Sequence, residues 1–385
     1  MVRRVALLTN FIPPHRLPLY QAIAQRVSEF QVFISTPMEA NRSWQTNWEG
    51  LNVTIQKNFT LQRTWRHPQG FSEPLYIHIP YDTLWLLHQY QPDVIISGEL
   101  GMRSLQAALY RKFHPKTRLV LWATISEYSE KGRGWLRHQL RRVLLPQADA
   151  VLVNGNSGKR YIRNFDISSE KIFFAPYTTN ISPFLAIPLS KESHQVYRLL
   201  SVGQLVERKG LIPFMTTLVK WGKNHPEQNL EFWIAGRGTL QETLAAQPLP
   251  ENVKVKFLGN IEYQKLPEVY AEAGIFIFPT LADEWGVVTN EAMAAGLPVL
   301  GSLYSQSVEE LVEDGVTGWV FRPDNQEEIY CALEKTLATT EDELAKMRVM
   351  ARDRIQYLTP DFVADNILEA IGYVRLVGLN KTAEK

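Results

Sequence analysis

A single cysteine, Cys331, occurs in 385 residues, so the chain can close no disulfide on itself and can build no cysteine-rich metal site. That scarcity fits a reducing setting and predicts a cytoplasmic protein. Excess charge is missing too: 41 Lys and Arg against 40 Asp and Glu leave a formal net charge of +1, which argues against nucleic acid as a partner. No apolar run is long enough to span a bilayer, because the longest are strand-sized and interrupted by Pro, Gly or charge. The start carries Arg3 and Arg4 but too short an apolar run for a signal peptide, and it reads as a first buried strand. No Asp-x-Asp pair and no cluster of His, Asp and Glu is apparent, so neither a metal nor a cofactor is expected. Internal repeats and low-complexity tracts are also absent.

What is present is the rhythm of an α/β protein. A single core stops growing near ~250 to 300 residues, so 385 residues predict two domains. Apolar runs at 5–8, 31–34, 94–96, 119–122 and 150–153 read as buried strands, with helical patterns at 19–27, 80–90, 104–113 and 135–145 between them. Near-continuous apolar strands joined by helices predict a parallel sheet covered on both faces. The rhythm lapses over 176–192, which holds Pro176, Pro183 and Pro188. It resumes with strands at 197–202, 230–235, 253–258, 275–278 and 298–300 and helices near 211–223, 240–246, 264–273 and 287–295. Two doubly wound, Rossmann-like domains facing a cleft are therefore expected, at 1–180 and 197–358, joined by a linker at 181–196. Long amphipathic patterns at 326–357 and 360–376 follow, the second within a C-terminal segment at 359–385.

The stretch 281–301 carries the most chemistry. A strand ends at Pro279; Asp283, Glu284 and Gly286 follow, then a helix-forming segment to Ala295 that Gly296 and Pro298 stop. This order aims a helix N-terminus, with its unpaired N–H groups and partial positive charge, at the carboxyl end of a strand, where phosphate binds in α/β proteins. Asp283 and Glu291 lie eight apart, a little over two turns, so both project to one side if both are helical. Carboxylates beside a phosphate suit sugar or ribose hydroxyls; the alternative is that Asp283 caps the helix and Glu291 is a solvated helix residue. Further upstream, Gly203 follows the first strand of the second domain and Lys209 precedes Gly210, an arrangement suited to a diphosphate or else a plain turn and a surface lysine. Gly236 and Gly238 make a second glycine turn. Gln241 stands where a dinucleotide fingerprint has its third glycine, which disfavours a dehydrogenase.

Taken in order with Phe257-Leu258-Gly259 and Phe278-Pro279-Thr280, these motifs resemble the nucleotide-sugar half of the retaining glycosyltransferases of family 4, over roughly 201–320. The resemblance implies a GT-B fold with the last helix crossing back to the first domain. It also implies a nucleotide-diphosphate sugar as donor, and a glycan, glycolipid or lipid-linked sugar as acceptor. In that setting Lys209 contacts the donor diphosphate and Glu291 binds the ribose hydroxyls, while Asp283 occupies a place where the family has Glu, near the donor sugar. The backbone N–H groups of Val287 and Val288 would meet the phosphates, with Gly203, Gln204, Arg208, Gly236, Gly238, Trp285 and Gly286 completing the donor side. Gln204 departs from an Arg found in many members, and Arg208 is the neighbouring cation able to stand in. A His that many members carry after the strand at 119–122 is replaced here by 123–127, leaving Thr124 and Glu127 as candidates by position. The expected catalytic set is thus Lys209, Asp283 and Glu127.

On the acceptor side, loops at 10–16, 98–103 and 124–134 offer His15, Glu99, Arg103 and Glu127, each weighed against a structural or surface role. Between 102 and 142 ten Lys and Arg face only Glu127 and Glu130. Within that stretch 135–145 sets Leu136, Leu140, Val143 and Leu144 against Arg137, His138, Arg141 and Arg142. The pattern permits a peripheral helix on an anionic membrane at its inner face, and equally an ordinary helix packed on the sheet. Two other readings stay open: a GT-B epimerase or phosphorylase, though no lysine motif suits a pyridoxal cofactor, and a non-catalytic sugar-nucleotide- or glycan-binding subunit in which Gln204 and Asp283 mark lost activity.

Overall fold

A computed structural model of the chain describes residues 4–39 and 46–383, with 377–383 as backbone only. The chain divides into two compact units, Met1–Thr179 with Thr359–Lys385, and Asn180–Leu358.

The first unit is built on parallel strands β1 (Arg4–Thr9), β2 (Glu29–Ile34), β3 (Asn52–Ile55), β6 (Val94–Gly98), β7 (Arg118–Ala123), β8 (Ala150–Val153) and β9 (Ile172–Phe174), with β4 (Asn58–Arg66) and β5 (Ser72–Pro80) outside that sheet. Its helices are α1 (Leu17–Ala24), α2 (Thr83–Tyr90), α3 (Met102–Phe113), α4 (Trp135–Leu144) and α5 (Asn156–Arg163). The spatial order is β3-β2-β1-β6-β7-β8-β9, so the winding direction reverses between β1 and β6. Residues such as Leu7, Ile95, Leu121 and Leu152 are buried, as a sheet covered on both faces requires. Right-handed crossovers put α2, α3 and α4 on one face, where α2 packs on α3 and α3 on α4, while α1 packs on the last helix of the chain on the other.

β4 and β5 form an antiparallel hairpin that sequence patterning did not reveal. The reason is physical: β4 is exposed along most of its length, and a strand with no buried face shows no alternation.

In the second unit α6 (Ser182–Leu185) and α7 (Ser193–Val196) come first, in the stretch expected as a linker. Then follow β10 (Leu199–Val202), α8 (Leu211–Asn224), β11 (Leu230–Ala235), α9 (Gln241–Ala245), β12 (Val253–Gly259) and α10 (Leu266–Ala271). After these come β13 (Ile275–Phe278), α11 (Val287–Ala294), β14 (Val299–Ser302), α12 (Gln306–Leu311), β15 (Gly318–Phe321), α13 (Gln326–Ala338) and α14 (Glu341–Ile355). The parallel order is β12-β11-β10-β13-β14-β15, reversing between β10 and β13. Phe214, Met215, Leu218 and Trp221 of α8 enter its core with Phe232, Ile234 and Ile277 of the sheet. Each such side chain stabilises the fold by about 1.5 to 3 kcal/mol relative to exposure. The pattern at 326–357, read as continuous, is two helices. Thr340 starts the second through a capping box: its side chain accepts from the Glu343 N–H, and the Glu343 side chain accepts from the Thr340 N–H. The last helix, α15 (Pro360–Ala383), belongs to the first unit, against α1, β7, β8 and β9.

Candidate active site

In a doubly wound sheet, ligands bind beyond the carboxyl ends of the strands where the order reverses. In the second unit that place lies between the ends of β10 and β13, and a concavity there is lined by Gly203, Gln204, Lys209, Leu211, Phe278 and Pro279. The loop after β11 closes one side of it. Gly203 N–H donates to the Ala235 carbonyl at 2.9 Å and Leu205 N–H to the Arg237 carbonyl at 3.0 Å. A Cβ on Gly236 would sit 1.8 Å from the Gly203 oxygen and one on Gly238 2.3 Å from the Leu205 oxygen, so both glycines serve the close approach of two loops.

Lys209 and Arg208 lie in a short 3-10 turn, and both reach the end of β13. Lys209 Nζ donates to Asp283 Oδ2 at 2.6 Å, and Arg208 Nη1 donates to the same oxygen at 3.0 Å and to the Ala282 carbonyl at 3.0 Å. Burial alone would raise the Asp283 carboxyl. The charge of Lys209, then that of Arg208, with hydrogen bonds from Lys209 and the Trp285 N–H, outweighs it and holds the group down at about 2. Asp283 therefore stays ionised across the whole working pH range.

Past Asp283 the chain turns at Gly286, whose φ of +100° lies in the left-handed region, and a Cβ there would meet the Phe278 ring at 2.5 Å. This turn separates Asp283 from α11, so Asp283 and Glu291 are not two residues on one helical face, contrary to the reading from their spacing. α11 starts at Val287 and Val288, and no described side chain caps it. The Trp285 indole is buried and donates from Nε1 to Asn290 Oδ1 at 3.0 Å; the residue offers the site its backbone rather than its ring.

Glu291 is 3 % exposed and accepts from the Tyr270 hydroxyl at 3.1 Å, so it is not a solvated helix residue. Burial pushes its carboxyl up to about 8, against a smaller opposing effect of that hydrogen bond. Tyr270, far upstream on α10, carries no signal in the sequence that could have paired it with Glu291. The sign for stability follows from the raised value. The folded chain keeps a proton that the unfolded chain loses near 4.5, so this stabilisation is present below that pH and is lost as pH rises toward about 8. Glu291→Gln is expected to flatten the loss, gaining several degrees in Tm over the parent chain between about pH 5.5 and about pH 8.5. Parallel Tm curves for the two proteins would contradict a protonated, buried Glu291.

The first unit repeats the geometry at its own reversal, between β1 and β6. Asn10 follows β1 and Glu99 follows β6, and Asn10 Nδ2 donates to Glu99 Oε1. Arg103, 4 % exposed, donates from Nη2 to Asn10 Oδ1 and from Nη1 to Ser35 Oγ at 3.1 Å, and its Nη2 lies 3.8 Å from Glu99 Oε2. Glu99 adopts a φ of +65°, a conformation that costs about 1 kcal/mol or more in a non-glycine residue and is kept where surroundings enforce it. His15 stacks on Tyr177 with ring centroids 5.7 Å apart, and the neighbouring Arg16 lies over the Tyr177 and Trp122 rings. Glu127, by contrast, is tied down: Arg160 Nη2 lies 2.7 Å from Oε2, and Ser157 Oγ donates to the Glu127 carboxylate. Thr124 is buried. Among the described residues no group of three or more His, Cys, Asp and Glu could hold a metal ion.

Comparison with known proteins bears on this geometry. The sequence profile of the family Glycosyl transferases group 1 matches residues 189–354, all within the second unit. An α-1,4-N-acetyl-D-galactosaminyltransferase of Campylobacter jejuni, named for a GalNAc-α-(1→4)-GalNAc-α-(1→3)-diNAcBac-PP-undecaprenol substrate, is 27% identical over 251 residues, 65% of this chain and 67% of that protein. The amylovoran biosynthesis glycosyltransferase AmsK of Erwinia amylovora is 30% identical over 174 residues, 42% of this chain and 41% of its own length. The structure of Anabaena HepE in complex with UDP superposes with a TM-score of 0.70 at 17% identity, covering 96% of this chain and 99% of that one. The fold is thus that of the GT-B glycosyltransferases, with a Rossmann-like sheet in each unit, and the chemistry supported is glycosyl transfer from a nucleotide sugar.

Proposed function

We propose that this protein is a retaining, family 4 hexosyltransferase that needs no metal or cofactor and moves a sugar from a nucleotide-diphosphate donor to a hydroxyl of a glycan, glycolipid or lipid-linked acceptor in the cytoplasm. One observation carries the reading: two cations, Lys209 and Arg208, converge on a buried carboxylate at the reversal point of the second sheet, beside the uncapped start of α11. When a diphosphate arrives, Lys209 and Arg208 take its oxygens as partners, and Asp283 is released toward the donor sugar hydroxyls. As the anomeric C–O bond breaks, charge builds on the leaving diphosphate, and the same cations and the α11 N–H groups stabilise it most at the transition state. The acceptor hydroxyl then attacks from the front face and passes its proton to the leaving phosphate oxygen, so configuration is retained without a protein nucleophile.

Glu291 binds the ribose hydroxyls, with Tyr270 holding its carboxyl in place. Glu99 and Arg103, with His15 nearby in sequence to Asn10, are assigned to the acceptor, and Glu127 to positioning its own loop through Arg160. Gln204 leaves a cation short relative to many family members. Arg208, already on Asp283, supplies it, which favours an active enzyme over a silent binding subunit.

The test is a thermal-shift screen of nucleoside diphosphates and sugar nucleotides, beginning with UDP because HepE holds it. A true donor raises Tm in proportion to occupancy, by several degrees at saturating concentration, and is slowly hydrolysed without acceptor. No shift with any nucleotide would remove the assignment; a shift without hydrolysis or transfer would leave a binding subunit. Turnover unchanged by EDTA is expected, and loss restored by a divalent cation would refute the metal-free scheme.

A further inference from the structure

Helix α4 packs with its polarity reversed. Its inner side holds Arg141, 2 % exposed, paired with the buried Glu130 beside Leu144. Its outer side holds Trp135, Leu136 and Val143, 72, 77 and 63 % exposed. At about 100° per residue these three fall within one arc of roughly 100°, bordered by Arg142. The sequence stripe of Leu136, Leu140, Val143 and Leu144 is therefore not one buried face: the structure turns Leu144 in and Leu136 and Val143 out. A helix that serves only its own sheet does the opposite.

The apolar surface does not stop at α4. On the adjacent α3, Leu109 and Phe113 are 44 and 72 % exposed and lie one turn apart, and on α2, next to α3, Trp85 is 59 % exposed. All three helices lie on one face of the first sheet, as their crossovers require. The exposed charges on the α3–α4 part of this face are basic, whereas Asp82 and Asp93 flank α2. Between residues 102 and 145 the exposed Lys and Arg are Lys112, Lys116, Lys131 and Arg142, while the two acids of the stretch, Glu127 and Glu130, are bound to Arg160 and Arg141. A second copy of this chain would bring the same cations face to face, which disfavours self-association through this surface. An anionic bilayer complements both features, with an interfacial layer for indole, phenyl and leucine side chains and phosphates for Lys and Arg. No helix among the described residues is long and apolar enough to cross a membrane, so such a contact is peripheral.

We propose that the face formed by α2, α3 and α4 seats the protein on the surface of an anionic phospholipid bilayer, with Trp135, Leu136, Val143 and Phe113 entering the interface and Lys112, Lys131 and Arg142 meeting headgroup phosphates. This inference is independent of the donor chemistry. The experiment is co-sedimentation of the full chain with vesicles of phosphatidylcholine alone or with about one third phosphatidylglycerol. Binding to the second and not the first is expected, with release at high salt. Trp135→Ser/Leu136→Ser/Val143→Ser should lower the bound fraction roughly ten-fold or more, and Lys112→Glu/Arg142→Glu should do so with every apolar anchor kept. Both variants alter exposed positions and should retain the parent Tm and the nucleotide-induced Tm shift. Absence of binding to either vesicle, or equal binding by parent and variants, would overturn the proposal. A dimer in sedimentation velocity that the triple-serine variant dissolves would assign the face to a second copy instead.

Discussion

Replacing Lys209 by alanine is expected to lower turnover roughly 10²- to 10³-fold while the fold survives, the cost of removing one well-placed donor to developing negative charge. The structure adds a complication that sharpens the test. Lys209 is the nearer of the two cations on Asp283, so Lys209→Ala also strips a buried carboxylate of its principal cation and leaves it to Arg208. A modest fall in Tm should accompany the loss of turnover. Adding Asp283→Asn to Lys209→Ala removes the stranded charge and should restore Tm without restoring turnover. If the double variant regained both, Lys209 would be a structural counter-ion and not a donor ligand. Near-normal turnover in Lys209→Ala alone would sink its catalytic assignment.

The largest effect on stability is expected in the first unit, at Arg141. Truncating one partner of a buried ion pair leaves the other charge uncompensated and costs about 3 to 5 kcal/mol, and both side chains are nearly fully buried here. Arg141→Met should therefore lower the first unit's Tm by roughly ten degrees. Arg141→Met/Glu130→Leu replaces the pair with apolar groups and should recover most of that, by thermal or denaturant unfolding. A single variant with parent-like stability would show that the Arg141–Glu130 pair does not hold this part of the fold.

The two sheets were legible in the sequence because parallel, doubly covered strands leave unbroken apolar runs such as those around Leu7, Leu121 and Ile277. The β4–β5 hairpin was not, because exposure on both sides erases any period. The break at Thr340 was written in the spacing of Thr340 and Glu343, but the helical periodicity on both sides masked it. In the candidate site, residue types were readable and pairings were not. Lys209 and Asp283 lie 74 positions apart, and only the folded sheet brings the end of β10 to the end of β13. The spacing argument for Asp283 and Glu291 failed for a local reason, the left-handed turn at Gly286. Tyr270 escaped notice because a tyrosine on a helix usually signals core. The reversal of α4 was invisible too, since a stripe with leucine on one side and arginine on the other does not say which side is in.

The return of α15 to the first unit bears on the order in which the chain matures. Arg26, just after α1, donates to Asp361 and Asp365 across 335 and 339 positions, and α1 packs along α15. Everything in the second unit is contiguous, from Asn180 to Leu358, whereas the first unit is split around it. Domains commonly fold in the order they are synthesised, from the N-terminus onward. Here the half begun first lacks part of its own core until residues past Thr359 have been made, so the contiguous second unit has all its residues in the chain before the first unit does.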